Sequence, residues 1–199
     1  MTRREFFKLS LASLTAWSLL PVLPVLGADR TGSAVIRPPI EGTPLHFTEA
    51  LEPRKLTNLL IVHHVGGTNR DVTAADIHQW HLQNGWAGIG YHYVIHKDGT
   101  IEQGRPEHTV GAHCYGYNQT SVGIVSVGDF ETYEPTKQQL SSVIHLLSYL
   151  CWRYHIQPGS STIVGHRDLN ETACPGRNYY AHLPWLRKQV TARVKNIEN

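Results

Sequence analysis

His63, His166 and Cys174 are three side chains able to hold a divalent metal while leaving one coordination position free. His63 ends the apolar run Leu59-Leu60-Ile61-Val62, and His166 and Cys174 stand eight residues apart in the turn-rich stretch 165–176. Two imidazoles and a thiolate suit borderline-soft zinc, and a fourth position open to water makes such a site catalytic rather than structural. Residue types and order therefore point to a zinc-dependent hydrolase before any wider comparison is made.

Such a site needs elements to carry it. Residues 58–63 are apolar enough for a buried strand that delivers His63 to a cleft. Thr73 followed by Asp76 opens a helix reaching about residue 84. Residues 90–95 and 100–103 flank Lys97-Asp98-Gly99, whose Asp-Gly step predicts a hairpin. In the first arm of that hairpin Tyr91, Tyr93 and Ile95 alternate with His92, Val94 and His96, so its two faces are expected to serve core and cleft. Residues 105–121 form a long polar, glycine-rich connection that reads as a binding wall.

Residues 122–127 give another strand, and Thr136 with Gln139 form a capping box at the start of a helix running to about 154. Leu140, Val143, Ile144, Leu147, Leu150 and Cys151 recur along it at helical spacing and should face a sheet. Thr162-Ile163-Val164 then leads into His166, and residues 180–194 suggest a closing helix. Strands interspersed with helices predict an α/β single domain with a central mixed β-sheet flanked by helices, the hairpin excluding an all-parallel sheet.

The first 27 residues read as a targeting leader. Arg3-Arg4 precede Glu5-Phe6-Phe7-Lys8 and a mostly apolar stretch interrupted by Pro21, Pro24 and several hydroxyl residues, which favours a cleaved signal over a persistent membrane span. The paired arginines resemble a twin-arginine signal, so the export machinery of that route is an expected partner and a periplasmic or otherwise exported location is expected. Val25 and Gly27 suit a cut before Ala28, and no cysteine near the cut indicates lipidation. Residues 28–57, with Pro38-Pro39, Pro44 and Pro53, look like an extended arm ahead of a domain over 58–199.

Removing the leader leaves fifteen basic and fifteen acidic residues in 172, so the exported chain is close to neutral. That balance gives no reason to expect a nucleic-acid partner. A monomer without a stable membrane anchor is expected. Cys114 and Cys151 could pair or remain separate, and Cys151, on the apolar side of its helix, reads as a buried thiol.

Ile61-Val62-His63-His64, the run 90–95, Val110-Gly111-Ala112-His113, and Gly165-His166-Arg167-Asp168 through Cys174-Pro175-Gly176 together resemble the N-acetylmuramoyl-L-alanine amidase type 2 family. That family shares its fold with peptidoglycan recognition proteins and a bacteriophage T7-type lysozyme. The similarity runs over residues 58–185. It implies a peptidoglycan recognition protein-like amidase fold and hydrolysis of the amide between the lactyl group of N-acetylmuramic acid and L-alanine, with peptidoglycan or muropeptides as substrate.

By the same resemblance His63, His166 and Cys174 are the zinc ligands, and His64 is a neighbour rather than a ligand. Tyr91 takes the catalytic tyrosine position, with a packing aromatic of the sheet as the alternative, and Thr172 falls where lysine or threonine stands in catalytic members, with local turn capping as the alternative. His113 matches a cleft histidine that binds substrate or orients water, with ordinary loop hydrogen bonding as the alternative. Tyr117, Asn118 and Arg167 are candidate substrate contacts, each set against a structural role, while Asp168 is expected to support the turn. Trp80 and Trp86 read as packing or cleft-edge aromatics. Val125 stands where a cytoplasmic subgroup carries a glutamate base, so the chain fits the tyrosine-assisted subgroup. A noncatalytic peptidoglycan-binding protein is the main alternative, and an unrelated zinc amidase or deacetylase is another.

Overall fold

Two strands buried on both faces form the centre of the sheet, which is why their sequences read as near-continuous apolar runs. The computed structural model describes residues 37–198, so the leader at 1–27 and residues 28–36 of the arm lie outside the described residues. Six strands, β1 (Glu41–Gly42), β2 (Leu59–His64), β3 (Tyr93–Ile95), β4 (Ile101–Gln103), β5 (Ser121–Ser126) and β6 (Ile163–Gly165), line up in the order β1-β4-β3-β5-β2-β6. β3 and β4 pair antiparallel and the remaining neighbours parallel, giving the mixed sheet that the Asp98-Gly99 turn predicts.

Strand alternation divides the sheet's side chains between two layers. Leu60, Val62, Tyr93, Ile124 and Ile163 pack in one cluster with α2 (Lys137–Tyr154) and α3 (Arg177–Glu198), including Leu147, Leu150, Tyr179 and Leu183. On the other face Val94, Val125 and Val127 meet Ala74 and Ile77 of α1 (Ala74–Gln83), and Ile61 and Val164 meet Cys114. Each fully buried aliphatic side chain contributes roughly 1.5–3 kcal/mol. A helix cap contributes about 1 kcal/mol. Core burial thus holds the helices in place, and the capping boxes at Thr73/Asp76 and Thr136/Gln139 set where α1 and α2 begin.

Three features differ from the sequence expectations. The described part of the arm is built into the sheet: β1 pairs with β4, Pro53 bridges to Thr109, and the Arg54 guanidinium donates to the Thr109 and Ser121 carbonyls, both at 3.0 Å. Next, α3 begins at Arg177, three residues earlier than the apolar spacing indicates. Finally, β3 starts only at Tyr93, so the expected alternation fails upstream of it. Tyr91 should share a face with Tyr93 and Ile95, yet it packs against the Val94 and Val125 layer.

Candidate metal centre and groove

Alternation along β2 turns consecutive histidines to opposite sides. His63 follows Ile61 into the α1 layer, whereas His64 follows Val62 and accepts a hydrogen bond at Nδ1 from the Phe130 amide at 3.1 Å. β6 brings in the second histidine. His166 begins a single 3₁₀ turn directly after Gly165, and the loop returns to place Cys174 against the end of β2, where the His64 amide points at its sulfur at 3.4 Å.

The donor atoms of His63, His166 and Cys174 lie within 4.8 Å of one another. His63 Nδ1 is 3.6 Å from Cys174 Sγ. Tetrahedral zinc, with Zn–S of about 2.3 Å and Zn–N of about 2.0–2.1 Å, separates such a pair by about 3.5–3.6 Å. The set therefore fits zinc in donor type, and the His63–Cys174 pair fits it in spacing. Burial, followed by the neighbouring His166, holds the His63 imidazole well below its usual range, so the ring is in the neutral form that a ligand needs. Burial also pushes the Cys174 thiol up to about 12, so a thiolate here requires a cation beside it.

The other nitrogen of each imidazole is engaged. His63 Nε2 lies 3.0 Å from His113 Nδ1, and His166 Nε2 lies 3.1 Å from Asn170 Oδ1. With Nδ1 of His63 turned to Cys174, its Nε2–H donates to His113, whose own Nε2 meets Ser121 Oγ at 3.4 Å. Both nitrogens of His113 are thus used inside the protein, which makes it a brace for His63. Room for this ring comes from bare backbone. A Cβ on Gly123 would sit 2.5 Å from His113 ring carbons, and one on Gly90 would sit 1.9 Å from the Ala112 carbonyl oxygen.

Tyr91 completes the centre. Its ring centroid is 5.1 Å from that of His63 and 6.3 Å from that of His113, and its hydroxyl has no hydrogen-bond partner among the described residues. Burial raises its phenol, and Cys174 adds to the rise, so Tyr91 remains a donor. Val125 pairs with His63 in the sheet register and brings no carboxylate. Asp168 is spent on the turn, accepting from the Gly165 amide and the Tyr180 hydroxyl. Thr172 Oγ1 accepts from the Cys174 amide at 3.2 Å and so braces the ligand loop.

Beside the centre runs a groove of about 350 Å³ bounded by Trp86, the 112–115 segment, Asn118, His166 and Asn170. The expected binding wall at 105–121 does line it. Asn118 spends its side-chain oxygen on the His113 and Cys114 amides, at 2.8 and 2.9 Å, leaving its Nδ2 as the free donor. Tyr117 packs into the Ile61 and Val164 cluster, and Arg167 lies over the Tyr180 ring, so neither borders the groove. Sequence reasoning had no role for Tyr115, which is 89% exposed at the groove edge, or for Asn170. All three cysteines are free, and the buried thiol expected at Cys151 is what the fold contains.

A buried layer behind His113 makes stability depend on pH. His92 accepts the Gly123 amide at Nδ1 and meets both Arg54 Nη1 and the Thr109 carbonyl at Nε2. Burial and the Arg54 charge depress it to about 3. Because the folded value lies below the unfolded one near 6.5, only the unfolded chain takes up a proton between those values, and stability falls as pH drops through that window. Urea unfolding of chelator-treated protein should show a loss on the order of 2 kcal/mol between pH 7 and pH 5 from this residue. Equal stability at the two pH values would contradict a neutral, buried His92.

Fold and donor set together define an α/β domain with three side chains able to hold a metal ion, gathered where the parallel strands β2 and β6 end. The chain belongs to the N-acetylmuramoyl-L-alanine amidase family, whose model matches residues 53–177. It is 40% identical over 112 residues to an endolysin of Enterobacteria phage K11, covering 54% of this chain and 72% of that one. Among solved structures it resembles the endolysin amidase LysCS of Clostridium intestinale, with a TM-score of 0.70, 35% identity and coverage of 81% and 98% of the two chains. Peptidoglycan recognition protein LB of Drosophila aligns with a TM-score of 0.65 and 30% identity over 73% of this chain and 92% of that one.

Proposed function

We propose that the protein is a zinc-dependent N-acetylmuramoyl-L-alanine amidase that hydrolyses the amide joining the lactyl group of N-acetylmuramic acid to L-alanine in peptidoglycan or muropeptides. The observation that carries this reading is the complete His63, His166 and Cys174 set, its donor atoms within 4.8 Å of one another, beside a groove and a tyrosine whose hydroxyl has no partner among the described residues. Zinc, when bound by these three residues, supplies Lewis-acid activation of water and of the substrate carbonyl.

The chain's own residues account for the rest. His63 and His166 present Nδ1 lone pairs, fixed by the partners on their Nε2 atoms. Cys174, as thiolate, lowers the net charge of the centre. Tyr91 donates a hydrogen bond from its phenolic O–H to the carbonyl oxygen as negative charge gathers there in the tetrahedral transition state. Thr172 is a second donor in this proposal. Trp86 and Tyr115 offer apolar faces to the sugar or stem peptide, and Asn118 Nδ2 offers a donor.

Mass spectrometry of defined muropeptides, incubated with zinc-loaded residues 28–199 beside a chelator-treated sample, tests the activity. The expected product is an intact glycan plus a peptide beginning with L-alanine, formed only with metal. Tight muropeptide retention without that product would instead identify a noncatalytic peptidoglycan-binding protein. Export by the twin-arginine machinery to the periplasm belongs to the same proposal and rests on Arg3-Arg4 and the apolar stretch after them. Full chain carrying Arg3→Lys and Arg4→Lys should stay in the cytoplasm, and its undiminished export would remove that part.

A further inference from the structure

We propose that Asn170 is a positioning residue of the metal centre, selecting the His166 tautomer that turns Nδ1 toward the ligand cluster. This rests on the zinc reading above. The 3₁₀ turn after Gly165 bends the chain so that the Leu169 and Asn170 amides both donate to the His166 carbonyl at 3.1 Å, which brings the Asn170 side chain back alongside the imidazole. Its Oδ1 lies 3.1 Å from His166 Nε2 and accepts from Cys114 Sγ at 3.2 Å. Its Nδ2 donates to the Tyr115 and Leu169 carbonyls at 3.3 and 3.0 Å.

This network fixes which way the amide points. Two carbonyls face Nδ2, so the nitrogen must be there and the oxygen must face the histidine. An oxygen acceptor in turn places the imidazole proton on Nε2 and the lone pair on Nδ1. His166 needs such a hold more than His63 does, because His63 is fully buried and braced by His113, whereas His166 is only half-buried at the groove. Asn170 also joins the two loops that build the site, since it ties the 166–174 loop to Cys114 and Tyr115 on the groove wall.

Two substitutions separate these roles. Asn170→Asp keeps an oxygen facing His166 but gives up the donor to Tyr115, while Asn170→Leu gives up both. Zinc affinity, measured by competition with a chromophoric chelator, should fall about 10–100-fold in Asn170→Leu and stay at or above the wild-type value in Asn170→Asp. The Co²⁺ absorption spectrum should be preserved in Asn170→Asp and altered in Asn170→Leu. Leucine affinity within twofold of wild type overturns the proposal, as does an aspartate variant that loses as much as the leucine one, which would assign Asn170 to the loop tie alone. Wild-type protein that holds no zinc overturns this inference and the amidase reading together. Zinc binding with the expected variant pattern but no muropeptide cleavage upholds this inference and overturns only the amidase reading.

Discussion

Cys174→Ala is expected to abolish zinc retention and to lower amide hydrolysis by about 10³-fold or more while muropeptide still binds. Cys174 is the single anionic donor of the three, and without it two neutral imidazoles face a dication. Loss of an outer hydrogen-bond partner already costs about 10–100-fold in metal affinity or activity, so loss of the donor itself must cost more. Groove binding survives because Trp86, Ala112, Tyr115 and Asn118 are untouched by the substitution. Metal content after gel filtration and a time course of muropeptide cleavage read the two effects. Added zinc should raise the melting midpoint of the wild type and leave that of the variant where it was, since only a bound ligand shifts the folding equilibrium. A purely structural thiol would behave in the opposite way: the variant would be less stable without metal and would still turn over. A Cys174→Ala protein that keeps zinc and cleaves within tenfold of wild type would sink the assignment.

What could be read in the sequence follows the range of the interactions involved. The capping boxes at Thr73/Asp76 and Thr136/Gln139 close over three residues, so local pattern places the starts of α1 and α2 correctly. The runs ending at His63 and leading into His166 are apolar because β2 lies inside the sheet and β6, though its edge strand, is covered on both faces, so the delivery of both histidines was legible as well. β1 was not, because Glu41 and Gly42 have no strand pattern of their own and pair only where β4 offers an edge. Arg54 likewise reads as an ordinary polar residue of a proline-rich arm. Its role as a half-buried clamp on His92, Thr109 and Ser121 exists only after distant segments have met.

The site residues divide along the same line. Types and spacing pointed to three side chains that the fold does gather as candidate metal donors, because coordination chemistry restricts which side chains qualify. The residues that orient those donors carry no comparable restriction. His113 and Asn118 read either as substrate contacts or as loop hydrogen-bonders, and the fold shows loop bonds for both: His113 spends both ring nitrogens within the protein and Asn118 spends its carbonyl oxygen on the His113 and Cys114 amides. The turn at 113–118 therefore braces His63 from behind and lines the groove in front. The side of the sheet on which Tyr91 lies also escaped the period-two reading, since that rule holds only inside a strand and β3 begins two residues later.

That displaced tyrosine carries the second large effect. Tyr91→Phe is expected to lower kcat by about 10²–10³-fold, with KM changed only a few-fold. The substitution removes one oxygen and leaves the ring that packs 5.1 Å from His63, so neither a cavity nor a lost internal hydrogen bond accompanies it. Zinc content and melting midpoint should therefore match the wild type. A donor aimed at charge that develops only in the transition state contributes little to substrate binding and much to the chemical step, which is why kcat takes the loss. Tyr91 suits that task because burial raises its phenol and keeps the proton on the oxygen through neutral pH. Steady-state kinetics on a single muropeptide, paired with metal analysis, separate the possibilities. A phenylalanine variant cleaving at nearly the wild-type rate would reduce Tyr91 to a wall of the site. One that loses zinc together with activity would place its role in holding His63 rather than in stabilising the oxyanion.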